Sequence, residues 1–196
     1  MTYVSHLMRR ASALALLLSA LSAQAAGLPD TGITLLYDCL RGAGFGVAQL
    51  SLETYFNFAS KPGSRMQDRP DLVVFDADFD GRFNLYKEGD IRMSNDLHKL
   101  AHIQTIVEVK GGASMNKKSD NRVIKDYLDD LNKLRRWRDG ATRARSSTRL
   151  QTVFLGVDGR TKGLPTTAIQ TLVDESKKLG NGLIYLSRDS VVTVRP

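Results

Sequence analysis

Two carboxylates and a lysine are the side chains of this sequence best placed to do chemistry. Asp71 opens the apolar run Leu72-Val73-Val74-Phe75 after Arg69-Pro70, and 37 residues later Glu108 stands in Ile106-Val107-Glu108-Val109-Lys110-Gly111-Gly112. Both segments read as short buried strands. Strand alternation puts Glu108 and Lys110 on one face and Val107 and Val109 on the other, so a carboxylate and an ammonium project side by side, about 7 Å apart along the strand. Asp71 and Glu108 could hold Mg2+ through hard oxygen ligands, with Lys110 near enough to orient or deprotonate a water or to stabilise charge on a phosphate. The plainer alternative is an ion pair on a half-exposed sheet, with Asp71 a turn residue at a strand entry. Ile106, Val107 and Val109 around the pair and the Gly-Gly stop after it weigh against a solvent-facing edge.

Pro70-Asp71 followed by Glu108-x-Lys110 resembles the signature of the PD-(D/E)xK phosphodiesterase superfamily, the restriction-endonuclease-like nucleases. The resemblance spans roughly residues 31 to 158, and the gap between its two motif strands, residues 76 to 105, is long. It implies an α/β fold with a restriction-endonuclease-like mixed central sheet flanked by helices. It further implies Mg2+, with Mn2+ as a substitute, held by Asp71, Glu108 and the carbonyl of Val109, and Lys110 assisting the attacking water. Glu53, upstream of the Pro-Asp motif, is either a third metal ligand in this scheme or a solvent-facing strand residue. The implied activity is hydrolysis of phosphodiester bonds in DNA, RNA being a second substrate class, and a homodimer is compatible with it. A catalytically inactive nucleic-acid-binding module of the same fold and a secreted protein of another class are the rival readings.

The surrounding pattern predicts the elements that would position these groups. Pro29-Asp30-Thr31 starts a helix carrying Ile33, Leu36, Tyr37 and Leu40, which ends at Gly42-Ala43-Gly44; residues 47 to 58 read as a strand. The clearest helix covers residues 119 to 139, with Val123, Ile124, Tyr127, Leu128, Leu131 and Leu134 at helical spacing. A strand over 151 to 157, a helix over 166 to 179 and a strand over 182 to 186 complete an alternating α/β pattern. No phosphate-binding P-loop, dinucleotide fingerprint or nucleophile elbow interrupts it.

Charge points to a polyanionic partner. The 196 residues carry 28 Lys and Arg against 21 Asp and Glu, a net charge of +7, which favours phosphate contacts through counterion release. Lys117, Lys118, Arg135, Arg136 and Arg138 are the candidate nucleic-acid contacts, continued by Arg143, Arg145 and Arg149; Trp137 among them reads as a packing residue rather than a stacking platform. The single Cys39 excludes an intramolecular disulfide and a multi-thiolate zinc site, and reads as a small core residue of a helix.

Asp76-Ala77-Asp78-Phe79-Asp80-Gly81 opens like an EF-hand loop, but the twelfth position is Lys87 with Glu88 one place late, so a polar turn between strands is expected there. The rest of residues 76 to 105 reads as an insertion that could cover the site, and His98 and His102 as surface or substrate-contacting side chains. Residues 1 to 26 support two readings. Arg9-Arg10, an Ala/Leu/Ser run and Ala23-Gln24-Ala25 have the regions of a cleaved leader, placing the protein in the periplasm or outside the cell, whereas Leu14, Leu17, Leu18 and Leu21 form the stripe of a folded helix in a cytoplasmic protein. The stretch is too short for a membrane span. Residues 27 to 196 have the length of a single domain.

Overall fold

A computed structural model describes residues 32–53, 56, 69–79, 102–111, 113–144 and 150–195. The leader-like segment, Asp80 and Gly81 of the acidic turn, His98 with most of the insertion, and Arg145 and Arg149 lie outside the described residues.

Helix α1 (Gly32–Gly42) precedes three strands, β1 (Leu50–Leu52), β2 (Leu72–Phe75) and β3 (Ile103–Lys110). A single turn α2 (Ala113–Asn116) leads into the long helix α3 (Asp120–Ala144), then β4 (Gln151–Asp158), α4 (Thr166–Leu179), β5 (Gly182–Ser187) and β6 (Val191–Val194). The six strands form one mixed sheet in sequence order: β1, β2 and β3 pair antiparallel, β3, β4 and β5 pair parallel, and β6 returns antiparallel on β5. The expected α/β class and its sheet flanked by helices are present. Among the described residues no helix is long and apolar enough to cross a membrane.

The two parallel steps require crossovers, supplied by α3 and α4. Both advance across the sheet in the same direction, so crossovers of one hand deliver both helices to one face. There Val123, Tyr127, Leu131, Leu134 and Trp137 of α3 and Ala168 and Leu172 of α4 pack on Val73, Ile106, Phe154 and Leu183. The opposite face carries Leu72, Val74, Val107, Leu155 and Ile184 under Leu36 of α1, with Cys39 half-buried at its margin. The inner strands β2 to β5 are thus covered on both sides, which is why their sequences run largely apolar rather than strictly alternating.

Three elements depart from expectation. The predicted strand over 47 to 58 begins instead as a 3₁₀ turn, Val47–Gln49, where the Gln49 side chain accepts from the Gly46 N–H at 2.9 Å. Its described strand is Leu50–Leu52, followed by Glu53 at φ +49°, a backbone region that does not continue a ladder, and by Phe56 in an isolated bridge; residues 54, 55, 57 and 58 lie outside the described residues. Helix α3 runs to Ala144 because Trp137 and Ala141, at 1% and 0% exposure, carry its apolar stripe beyond residue 134. Strand β6 went unpredicted because Val191-Val192-Thr193-Val194 is short and only half-buried.

Candidate active site

Strand pairing brings the distant motif residues together. Leu72 pairs with Val107, so Asp71, one residue before β2, stands beside Glu108 on β3. Ile106 faces α3 and α4 whereas Val107 faces α1, so alternation turns Glu108 and Lys110 toward α3, as expected. The Val109 N–H donates to Asp71 Oδ2 at 2.7 Å. Because the N–H and C=O of one strand residue point to the same side, the Val109 carbonyl also points toward Asp71.

Helix α3 supplies the partners that sequence reading did not single out. Lys133 Nζ donates to Glu108 Oε1 at 2.5 Å and lies 4.5 Å from the centre of the Trp137 ring. Lys110 Nζ lies 3.1 Å from Asp130 Oδ2, an ion pair whose angles fall outside hydrogen-bond geometry. The imagined Glu108–Lys110 pair is therefore replaced by two strand-to-helix pairs. Their signal was legible in principle: Asp126, Asp130 and Lys133 recur at i, i+4 and i+7, a polar stripe beside the apolar one.

Burial leaves this cluster short of stabilising partners. Among the described residues, Glu108 Oε2 is the buried oxygen of this cluster with neither a hydrogen bond nor an ion pair, Asp130 Oδ2 having only its Lys110 ion pair; the Tyr127 hydroxyl, also without a hydrogen bond, lies over β4 near Asp158. Glu108 is pushed up to about 7, first by burial and then by the Asp71 charge, with Lys133 opposing both. Asp71 is also raised, by burial above all, against the Val109 N–H and Lys133. Burial pulls Lys110 down, but Asp130 and Glu108 together outweigh it and its pKa lies above the ordinary lysine value. It therefore stays protonated at neutral pH.

Glu53 does not join the cluster. Its backbone N–H donates to the Asp71 carbonyl at 3.1 Å, yet its half-exposed side chain pairs with Arg69 at 3.4 Å. Among the described residues no group of three or more His, Cys, Asp or Glu side chains is spaced to hold a metal. A cation here would draw on the Asp71 and Glu108 carboxylates and the Val109 carbonyl, and the buried, unpartnered Glu108 Oε2 is the oxygen that fits one.

The basic residues divide by role. Lys117 and Arg136 are exposed and make no ion pair among the described residues, and Arg135 reaches only Asp139, at 3.6 Å. Lys118 donates to Asp126 at 2.7 Å. Arg138, expected to contact phosphates, instead caps α4: its guanidinium donates to the carbonyls of Leu179 and Gly180 at 2.6 and 2.5 Å, beside Gly180 in the left-handed conformation at φ +65°. Trp137 is buried, as its packing role requires. Asp76 accepts from the Asp78 N–H at 3.1 Å and pairs with His102 Nδ1 at 3.0 Å, which makes the start of the acidic segment a turn at the base of the insertion.

The chain matches no protein-family model, no curated protein and no solved structure.

Proposed function

We propose that the protein is a Mg2+-dependent nuclease of the restriction-endonuclease-like type, hydrolysing phosphodiester bonds in DNA. The observation that carries this reading is the meeting of Asp71, Glu108 and Lys110 on one sheet face, with a buried Glu108 oxygen left unpartnered. The order of elements, a helix before a mixed sheet and a second helix packed behind the motif strands, supports the same family.

Asp71, Glu108 and the Val109 carbonyl would hold the ion, which when bound supplies a Lewis acid for the phosphate and lowers the pKa of a water. The protein's own contribution is placement and charge. Before an ion binds, the Val109 N–H fixes the Asp71 carboxylate and Lys133 holds one oxygen of Glu108. Lys110, kept protonated by Asp130, acts as a fixed cation that orients the attacking water and stabilises charge on the phosphorus oxygens rather than as a base. Water adds to phosphorus, the ester P–O bond breaks, and the leaving oxygen takes up a proton. Exposed Lys117, Arg135 and Arg136 would hold the strand backbone, contacts that add affinity without reading sequence.

Incubating the purified protein with supercoiled plasmid, linear duplex, single-stranded DNA and RNA, each with Mg2+, Mn2+ or chelator, tests the reading. Metal-dependent cleavage, absent with chelator and in Glu108→Ala, is expected. Retardation of DNA without cleavage under every metal condition would identify a binding module instead.

A further inference from the structure

We propose that Lys133 is a built-in counter-ion of the Asp71–Glu108 centre, and that a divalent cation binds by displacing its ammonium from Glu108. The inference rests on the nuclease reading for the identity of the competitor. Its observations come from α3 rather than from the strand motif.

Two neighbouring carboxylates in a buried setting repel, and among the described residues the hydrogen bond to the Asp71 carboxylate is a neutral N–H at Oδ2. Lys133 contacts Glu108, engaging one oxygen and leaving Oε2 bare, and its charge also acts on Asp71. A lysine serving only the fold would be expected to leave no buried carboxylate oxygen unpartnered. The ammonium also has somewhere to go. Its side chain is 30% exposed and already lies over the face of Trp137, so it can leave Glu108 while keeping a cation–π contact and reaching water. Lys110 is instead paired with Asp130 of α3, so its charge is engaged away from Glu108.

Charge agrees with exchange. Counted with every group ionised, Asp71, Glu108 and Asp130 against Lys110 and Lys133 leave one negative charge in excess. Adding a divalent cation turns this into one positive charge, the sign needed to accept an anionic phosphodiester. Released from Glu108, Lys133 becomes a second ammonium at the edge of the site, available to a substrate phosphate.

The test is calorimetric titration of Mn2+ at about pH 8, above the value of about 7 reached by Glu108, into the wild-type protein, Lys133→Gln, Lys133→Met and Glu108→Gln, with thermal melts of each. Lys133→Gln keeps a hydrogen-bond donor for Glu108 without the charge, so it reports even where Lys133→Met does not fold. It is expected to bind Mn2+ about tenfold more tightly than wild type and to gain more thermal stability from the metal, while Glu108→Gln loses binding. Mn2+ binding by Lys133→Gln no tighter than wild type overturns the counter-ion role and leaves the nuclease reading standing. No Mn2+ binding by the wild-type protein overturns both.

Discussion

Two buried carboxylates lie on the same sheet face beneath the same helix, and they are treated differently. Asp158, at the end of β4, is fully partnered: Arg160 grips both of its oxygens at 2.9 and 2.8 Å, and the Tyr185 hydroxyl donates to Oδ2 at 2.8 Å. Arg160 also donates to Asp120 at the start of α3, and the Leu164 N–H donates to the Tyr185 oxygen. Burial alone would raise Asp158, but Arg160 and Tyr185 outweigh it and hold the carboxyl below its ordinary value. Glu108, two strand positions from Lys110 and across from Phe154 of β4, keeps a bare oxygen and is pushed up to about 7. A completed network of this kind stabilises a fold; an incomplete one stores unsatisfied charge for a ligand.

The largest expected effect separates the two by activity. Asp71→Ala and Glu108→Ala should reduce metal-dependent cleavage below detection with the fold retained, as shown by circular dichroism and a cooperative melt. Asp158→Asn should leave the chemistry of its folded fraction near normal. Near wild-type cleavage by either cluster variant would sink the site assignment.

Stability should reverse that order. Asp158→Ala leaves Arg160 and Tyr185 facing a void in the interior, with an expected cost of about 3–5 kcal/mol in urea unfolding. Glu108→Gln removes a repelled carboxylate and should be neutral or stabilising in the absence of metal.

The pH dependence sharpens the contrast further. Glu108 has a folded pKa of about 7 against an ordinary 4.5, so between those values the folded state keeps a proton that the unfolded state has lost. Stability therefore falls as pH rises through that window, by roughly 3 kcal/mol, and Glu108→Gln should flatten the fall. Asp158, depressed in the folded state, works in the opposite sense: its stabilisation is present above the ordinary carboxylate pKa and is lost as pH drops through the folded value. Urea melts of wild type, Glu108→Gln and Asp158→Asn from acid to neutral pH measure both slopes.

Lys110→Met probes the cluster from its cationic side. As a fixed charge acting in the transition state, Lys110 should be worth about 10²-fold in single-turnover rate at saturating Mg2+, with substrate affinity little changed. As a mere partner of Asp130 it would affect only the melt.

The smallest effects belong to the basic surface. Replacing Lys117, Arg135 and Arg136 with glutamine should weaken DNA binding alike across sequences and reduce the slope of log affinity against log salt by roughly one per lost phosphate contact. Arg138→Gln should leave that slope alone and instead lower stability by about 1–2 kcal/mol, because it uncaps α4. A change of salt slope in Arg138→Gln would return that residue to the interface.

The positions of β2, β3, β4, α4 and β5 were legible because each is a continuous apolar run or a strict helical stripe bounded by Gly, Pro or Asp. The start of the 47 to 58 segment was not, because its apolar and aromatic content suits a strand while Gln49 closes a 3₁₀ turn on Gly46 before β1 and Glu53 turns to positive φ after it. Asp71, Glu108 and Lys110 were conspicuous as charges inside apolar strands. Asp130 and Lys133 were not, since an acid or a lysine on a helix is ordinary until its facing is known. Arg138 was misplaced for the same reason: a cluster of arginines at a helix end looks uniform in sequence, and only the position of α4 shows which one turns inward.

By itself the sequence determined which residues alternate, which faces are apolar and that Glu108 and Lys110 share one side of a strand, because these depend on periods of two and 3.6 residues set by local backbone geometry. Only the tertiary structure decided that Asp71 stands beside Glu108, that Lys133 and Asp130 reach down from α3 to meet them, and that Glu53 turns away to Arg69. Those pairings follow from strand register and helix placement. These in turn are fixed by how two apolar faces of one sheet are covered, a property of the whole chain that no local window contains.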